Sequence, residues 1–503
     1  CPRGVDVHGN HTVDTCGFCY VEQPWVELFF LPAVNALGNS TTPPPPSLSR
    51  RFCLPSNGAL VLDDVLAAFR TAAGVAPNNV SGALVVSSNY DLLLNNKKTI
   101  TSPQCGTLQP CPRHVVTVDD SATVDAAART FVDTGLASDL GKRVSATPVT
   151  NAFGPSDVAY LYHLTAPDRA ANADIGIVNL TPTPVAFYVR LYHADGALMD
   201  TKEWNVAANS VVWIQDVFTG KVGFDVYATV QVIKPQGTEK WMTWASSTDA
   251  TTGDQFWVEG LSASVLGSTG GKLYLPNSER VTVTPDLRYV ITDVELINLD
   301  TTLAGKVPAT VKYWLASTPG SVRTVSLLEA GKAYRLIDLI ADGLGWATGV
   351  TNDTLVIEVP QQTDGKIAAS NHIYRLDIVA GTTLSSTIGS GMSAVPEADL
   401  VAPGGSAKVP LFGGTKYTSS VVITNPTSFP VTVTVRFYGA LGFPYSTVAR
   451  TVAANSTVVI PDPAKRRAGT AEVSVSGTSA GMALVYLRVD VPATGDQFAI
   501  IGR

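Results

Sequence analysis

Apolar and polar residues alternate with a period of two along much of the chain, the signature of strands that bury one face. VAFYVRLY, Val185 to Tyr192, and VTVTVRFY, Val431 to Tyr438, show it most plainly and predict half-buried strands. The runs are short and end at Pro, Gly or Asn, residues that favour turns. Short strands at this spacing describe an antiparallel β-sandwich. DVLAAFRTAA, starting at Asp64, is the clearest predicted helix.

One phrase in this pattern recurs. VAANSVVWIQDVF, from Val206, returns as VAANSTVVIPDPA, from Val452; upstream, IGIVNLTPTPVAFYVRLYHADG lies over VVITNPTSFPVTVTVRFYGALG. TGDQF, at 252–256 and again at 494–498, extends the match downstream. A third copy combines DVELINLDTTLAGKVPATVKYWLA with LEAGKAYRLIDLI, and a fourth is LPSNGALVLDDVL, from Leu54. The turn residue of the phrase is Asn57, Asn209, Gly331 or Asn455, and its closing acid is Asp64, Asp216, Asp338 or Asp462. Asn and Gly tolerate left-handed backbone, and a β-branched run then makes a strand. The Asp is expected to cap a helical turn, a role that contributes about 1 kcal/mol.

A chain of 503 residues is too long for one hydrophobic core. The expectation is an all-β chain of four tandem immunoglobulin-like β-sandwich domains: 1–145, Cys-rich with insertions, then 146–262, 263–390 and 391–503. The Cys, Trp, Cys framework of antibody domains is missing, so the likeness is to the sandwich architecture. Connections such as GLSASVLGSTGG predict a string of domains with limited hinge freedom. VAYLYHL, KLYLPN and AKVPLF are the expected first strands of the three later domains.

Composition changes the picture in two ways. Charged residues are only 15% of the chain and the net charge of -7 is spread out, which argues against a nucleic-acid partner. No apolar run is long enough to cross a bilayer as a helix. The chain begins at Cys1 without a signal peptide, and is expected to be a processed, exported form. Asn-x-Ser/Thr triplets at Asn10, Asn39, Asn79, Asn179, Asn352 and Asn455 fit an exported surface.

The candidate chemistry is concentrated at the N-terminus. Cys1, Cys16, Cys19, Cys53, Cys105 and Cys111 form an even, clustered set that predicts disulfides in the first domain. His8, His11, Cys16 and Cys19 also have the spacing of a tetrahedral zinc site, an alternative that the disulfide reading outweighs. Cys1 further permits acylation as in bacterial lipoproteins, although the usual polar tether does not follow it. Gly477 to Gly481 matches G-x-S-x-G, yet strand-like segments flank it where a nucleophile elbow needs strand, turn and helix. GSTGGK, Gly267 to Lys272, lacks the glycine spacing of a P-loop. His114, His163, His193 and His372 are scattered over different repeats and assemble no triad by spacing. Capping is the preferred reading of the repeated Asp over calcium binding at domain junctions. Trp204, Trp213, Trp241 and Trp244 are candidates for a carbohydrate platform, with half of them expected in the core by alternation.

The pattern of an apolar strand ending in Asn (IVNL, LINL, ITNP), a Val/Tyr-rich strand and then the turn-strand-Asp phrase resembles the tandem immunoglobulin-like repeats of secreted or surface-anchored bacterial proteins. The resemblance implies an extracellular scaffold or adhesion role and carries over no catalytic residue. The expected function is therefore an extracellular or cell-surface structural protein that is not an enzyme and needs no cofactor. It would be the subunit of a filament, sheath or stalk that self-associates or joins other surface proteins. The alternative is an adhesin or glycan-binding surface lipoprotein; an accessory chain of a secreted hydrolase is a third reading.

Overall fold

The computed structural model describes residues 25–35, 48–53, 59, 82–88, 127–132, 140–145, 151–164, 171–221, 226–249, 255–262, 271–283, 288–299, 310–326, 331–345, 349–359, 366–379, 382–414, 417–465, 468–491 and 496–502. These residues are almost entirely β, in several antiparallel sheets. The N-terminal strands are β1 (Trp25–Asn35), β2 (Leu48–Cys53), β3 (Gly82–Ser88), β4 (Ala127–Val132) and β5 (Leu140–Ser145). Among the described residues three eight-strand units follow, the second, third and fourth units of the chain after these N-terminal strands.

The second unit holds β6 (Val158–Leu164), β7 (Ala171–Asn179), β8 (Val185–Tyr192), β9 (Leu198–Val206), β10 (Ser210–Ile214), β11 (Val226–Val232), β12 (Trp241–Asp249) and β13 (Gln255–Glu259), with the short β14 (Leu261–Ser262). The third holds β15 (Lys272–Val283), β16 (Arg288–Asn298), β17 (Thr310–Leu315), β18 (Arg323–Ser326), β19 (Ala333–Leu336), β20 (Val350–Glu358), β21 (Ile367–Val379) and β22 (Thr382–Ser393), with β23 (Val395–Pro396). The fourth holds β24 (Ser406–Phe412), β25 (Thr418–Asn425), β26 (Val431–Gly439), β27 (Pro444–Val452), β28 (Ser456–Pro461), β29 (Ala468–Gly477), β30 (Leu484–Val491) and β31 (Asp496–Ile501).

Pairing repeats along with sequence. In each unit a first sheet runs first-sixth-third-fourth strand, and a second sheet runs fifth-second-seventh-eighth. Thus β24-β29-β26-β27 faces β28-β25-β30-β31, and β6-β11-β8-β9 faces β10-β7-β12-β13. In the third unit the far end of β15 pairs with β16 and joins the two sheets. Register is shared too: Asn179 lies opposite Ser210, and Asn425 opposite Ser456. A period of two explains the packing, since β8 alternates buried with half-buried residues and β26 sends Val431, Val433, Val435 and Phe437 inward.

Two features differ from a string of separate beads. β1 runs parallel to β10 inside the second unit's sheet, and β3 pairs with β1 so that Leu31, Ala83 and Val85 pack on that sheet's outward face. The units also stack face to face. The outward side of the third unit's first sheet (Tyr274, Trp314, Val356) forms one cluster with the outward side of the fourth unit's second sheet (Val422, Leu484, Tyr486, Ala499). The second unit's core is likewise continuous with Ile297, Leu299, Ala333 and Ala368 of the third unit's second sheet. The reason is that these outward faces are themselves apolar, so burial against a neighbour stabilises them by roughly 25 cal/mol per Å².

Candidate functional site at the repeat phrase and the unit junctions

The recurring phrase is a turn held from beneath by a buried Asn. Asn209, Gly331 and Asn455 all have positive φ, at 46°, 77° and 52°. At the end of β7, Asn179 is fully buried; its Nδ2 donates to the carbonyls of Thr183, Val206 and Ala207, and its Oδ1 accepts from the Thr181 backbone and hydroxyl. Asn425 repeats the arrangement with Phe429, Val452, Ala453 and Thr427. This Asn ties the turn between the second and third strands to the turn between the fourth and fifth. Asn179 therefore has no accessible amide for a glycan.

The closing Asp differs from the expected cap. Asp216 and Asp338 are themselves left-handed, with φ of 49° and 41°. Asp338 precedes a π-helical turn, Leu339–Gly343, but makes no side-chain cap; both its oxygens accept from Arg280 Nε at 3.0 Å. Its backbone N–H, like that of Asp216, is received by a carboxylate on the second strand: Asp293 at 2.8 Å and Asp174 at 2.9 Å. Only Asp462, among the three described, accepts a nearby backbone N–H, from Ala464 at 3.0 Å. Asn57 and Asp64 lie outside the described residues, as does the helix expected after Asp64.

Two junctions gather the titratable groups. Between the second and third units, the His163 backbone N–H donates to Glu295 Oε1 at 2.7 Å, its Nδ1 meets Ser370 Oγ at 2.9 Å, and Tyr162 donates to the Ala369 carbonyl. The His163 and His372 rings meet edge to face, centroids 5.8 Å apart. Tyr374 and Arg335 converge on Asp293 beside them. Burial, and then the Glu295 charge, push the Tyr162 hydroxyl far above its ordinary range. His163, His372 and Glu295 are 3%, 7% and 0% exposed, so solvent substrate does not reach the group. It is a packed polar junction.

Between the third and fourth units a cleft of about 240 Å³ is lined by Glu279, Val281, Val290, Thr351, Asn352, Arg488, Asp490 and Gln497. Glu279 is 2% exposed and receives Arg488 Nη1, the Asn352 N–H at 3.1 Å and Gln497 Nε2 at 3.1 Å. Arg488 also donates to Asn352 Oδ1 and, through Nε, to Asp490 at 2.8 Å. Nearby, Thr354 donates across the junction to Thr424, and Asp353 accepts from Ser317 and from the Thr354 N–H. Burial raises the Asp353 carboxyl above the usual range, against the lowering effect of these hydrogen bonds. Three protein donors from both units hold the Glu279 carboxylate, so the cleft is a bridge between them.

Both junctions begin at one strand position. His163 in VAYLYHL and Asn277 in KLYLPN occupy the same place, each with positive φ (62° and 58°) at a register shift in the first strand. Sequence alignment of these strands places the two residues together, but neither the His163–His372 pairing nor the Glu279–Arg488 bridge has a local spacing signal. Their partners lie more than a hundred residues away.

The remaining sequence candidates fall as follows. His8, His11, His114, Cys1, Cys16, Cys19, Cys105 and Cys111 lie outside the described residues; Cys53 closes β2. Among the described residues no group of three His, Cys, Asp or Glu could hold a metal. No helix among them is long and apolar enough to cross a membrane. Gly477 ends β29 and β30 starts at Leu484, so the G-x-S-x-G match is a loop between strands. Trp241 is fully buried in the core. Trp213 and Trp244 form a cluster with Trp257 on the outward face beneath β1 and β3, Trp244 and Trp257 stacked at 5.4 Å. Gly176 is required below them, because a Cβ there would stand 2.2 Å from the Trp244 ring. No family model matches the chain, and no curated protein matches it.

Proposed function

We propose that this chain is a non-enzymatic structural protein of the cell exterior, a subunit of a filament, sheath or stalk built from tandem immunoglobulin-like sandwiches. The observation that carries the reading is the face-to-face stacking of consecutive units through buried junctions. Outward faces and ionisable groups that a catalyst would present to substrate are here spent on joining one unit to the next. The immunoglobulin-like part is supported by the pairing of second with fifth and third with sixth strands, which match the B–E and F–C neighbours of that sandwich. The first and seventh strands have exchanged sheets relative to it. Self-association would use a sheet edge, as β10 already accepts β1. Electron microscopy of the native material tests this: copies repeating in an ordered assembly are expected, and isolated particles at every concentration would sink the proposal.

A second reading, a glycan-binding adhesin, is favoured by one patch. On the outward face of β8 and β11, Arg190 lies 4.9 Å over the half-buried Tyr188 ring and donates to Gln231 at 2.9 Å. A flat aromatic beside hydrogen-bonding groups suits a sugar ring. Glycan-array binding that Tyr188→Ala abolishes would promote this reading over the first.

A further inference from the structure

We infer that the units close into a ring within one chain: the β26–β27 end of the fourth unit docks on the N-terminal copy of the phrase at Ala59, and the eighth strands gather on the ring's axis. The inference does not rest on the filament reading, because every contact in it is made inside a single chain.

The N-terminal strands have the pairing of a further unit. β3-β1-β2 keeps the sixth-third-fourth order of the later first sheets, and β4 pairs with β5 as a seventh strand pairs with an eighth. β1 therefore holds the place of a third strand. In the phrase, Ala59 follows Asn57 as Val211 follows Asn209 and Ala333 follows Gly331, so the three share one position.

A backbone link recurs at that position. Between the second and third units the Ala333 N–H donates to the Ala194 carbonyl at 2.9 Å, joining the turn after one unit's third strand to the next unit's fifth strand. Between the first and second units Ala33, at the end of β1, lies opposite Val211. The fourth unit makes the same link onward: the Ala59 N–H donates to the Ala440 carbonyl at 3.1 Å. Ala440 is the counterpart of Ala194 in the alignment of the second and fourth units, as Ala59 is of Ala333. The fourth unit thus meets the first as the second meets the third.

The axis is an independent observation. Each eighth strand is the outer edge of its second sheet. β13 lies beside β22 and β22 beside β31, as successive stacked units require. β5 lies beside both β13 and β31, and it reaches β22 as well. A straight stack would hold β5 at one end, far from β31; contact with both requires the series to return to its start. Each junction joins one face of a unit to a different face of the next, and such heterologous contacts form a ring when their rotations sum to a full turn, about a quarter turn for each of four units. Gathering the eighth strands on one axis also shields edges that would otherwise pair with another chain. Lys408 and Arg436, set back from Ala440 on the fourth unit's first sheet, stay exposed, so closure is made at the turn and on the axis.

The full-length chain carrying Ala59→Cys with Ala440→Cys tests the ring. It is oxidised at low concentration and read by non-reducing electrophoresis and peptide mapping, with each single variant as control. The expected result is a 59–440 disulfide in more than half of the chains, at the mass of one chain and unchanged on tenfold dilution. A link found only at the mass of two chains, or a folded double variant without the 59–440 peptide, would overturn the ring. Where the double variant does not fold, or a native cysteine captures either new thiol, small-angle scattering from single native chains decides: a radius of gyration close to the about 23 Å of one compact body supports closure, and the profile of an extended rod overturns it. Isolated particles in microscopy would sink the filament reading and leave the ring standing.

Discussion

Asn179 and Asn425 show what a single buried side chain does in this molecule. Each is itself fully buried and satisfies three carbonyls and a Thr. Truncation leaves several buried acceptors without donors, and each such group costs about 1–3 kcal/mol. Asn425→Ala is expected to lower stability by about 3 kcal/mol or more, measured by urea denaturation, whereas Thr432→Ala on the exposed face of the same unit should change it little. Asp353 makes a different case, because burial raises its carboxyl. Its folded form binds the proton more tightly than the unfolded chain, so its contribution is fully present below the ordinary carboxylate range near 4 and is lost as pH rises through the raised value. Asp353→Asn should therefore gain stability relative to the native chain on going from pH 4 to pH 7, with urea midpoints at the two values as the measure. A difference that is flat or opposite in sign would show that Ser317 and Thr354 outweigh the burial.

At the scale of strands and turns, the sequence was informative where a rule is local. β8 begins and ends where the period of two placed it, and the left-handed turns at Asn209, Gly331 and Asn455 sit at the residues that tolerate them. The first strands at VAYLYHL, KLYLPN and AKVPLF are likewise strands. At Asp338 the expected cap gives way for a physical reason: a carboxylate within reach of Arg280 gains more from that charge-assisted pair than from a cap, and propensity cannot register a partner on another strand. The same holds for Glu279 and Arg488, which come together only because β15 of one unit lies against β30 of the next. Arg488→Ala removes the cation and leaves Glu279 buried, so it is expected to destabilise by about 3–5 kcal/mol. Replacing both residues, Glu279→Leu with Arg488→Met, should recover much of that loss in chemical denaturation, since no lone charge remains. A double variant no better than Arg488→Ala would mean that the bridge positions Asn352 and Gln497 as well as neutralising charge.

The whole molecule is a stack with direction. Among the described residues, first sheets pack forward onto the next unit's second sheet, and β1 and β3 cover the outward face of the second unit's second sheet. Such an arrangement couples units, because one buried cluster is built from residues of both the third and the fourth. Tyr486 is the test: it is fully buried in the fourth unit's second sheet, packs with residues of the third, and donates to the Asn352 carbonyl at 3.3 Å. In a stack whose stability is a sum of unit and interface contributions, an interface loss is felt on both sides. Tyr486→Ala opens a cavity of aromatic size, at a cost of roughly 3–5 kcal/mol. Calorimetry should show the transitions of both the third and fourth units shifted downward and separated, with hydrogen exchange rising in β15 and β20 as well as in β25 and β30. Exchange confined to the fourth unit would mean that the junction transmits no stability, and the units would then be independent bodies that only touch.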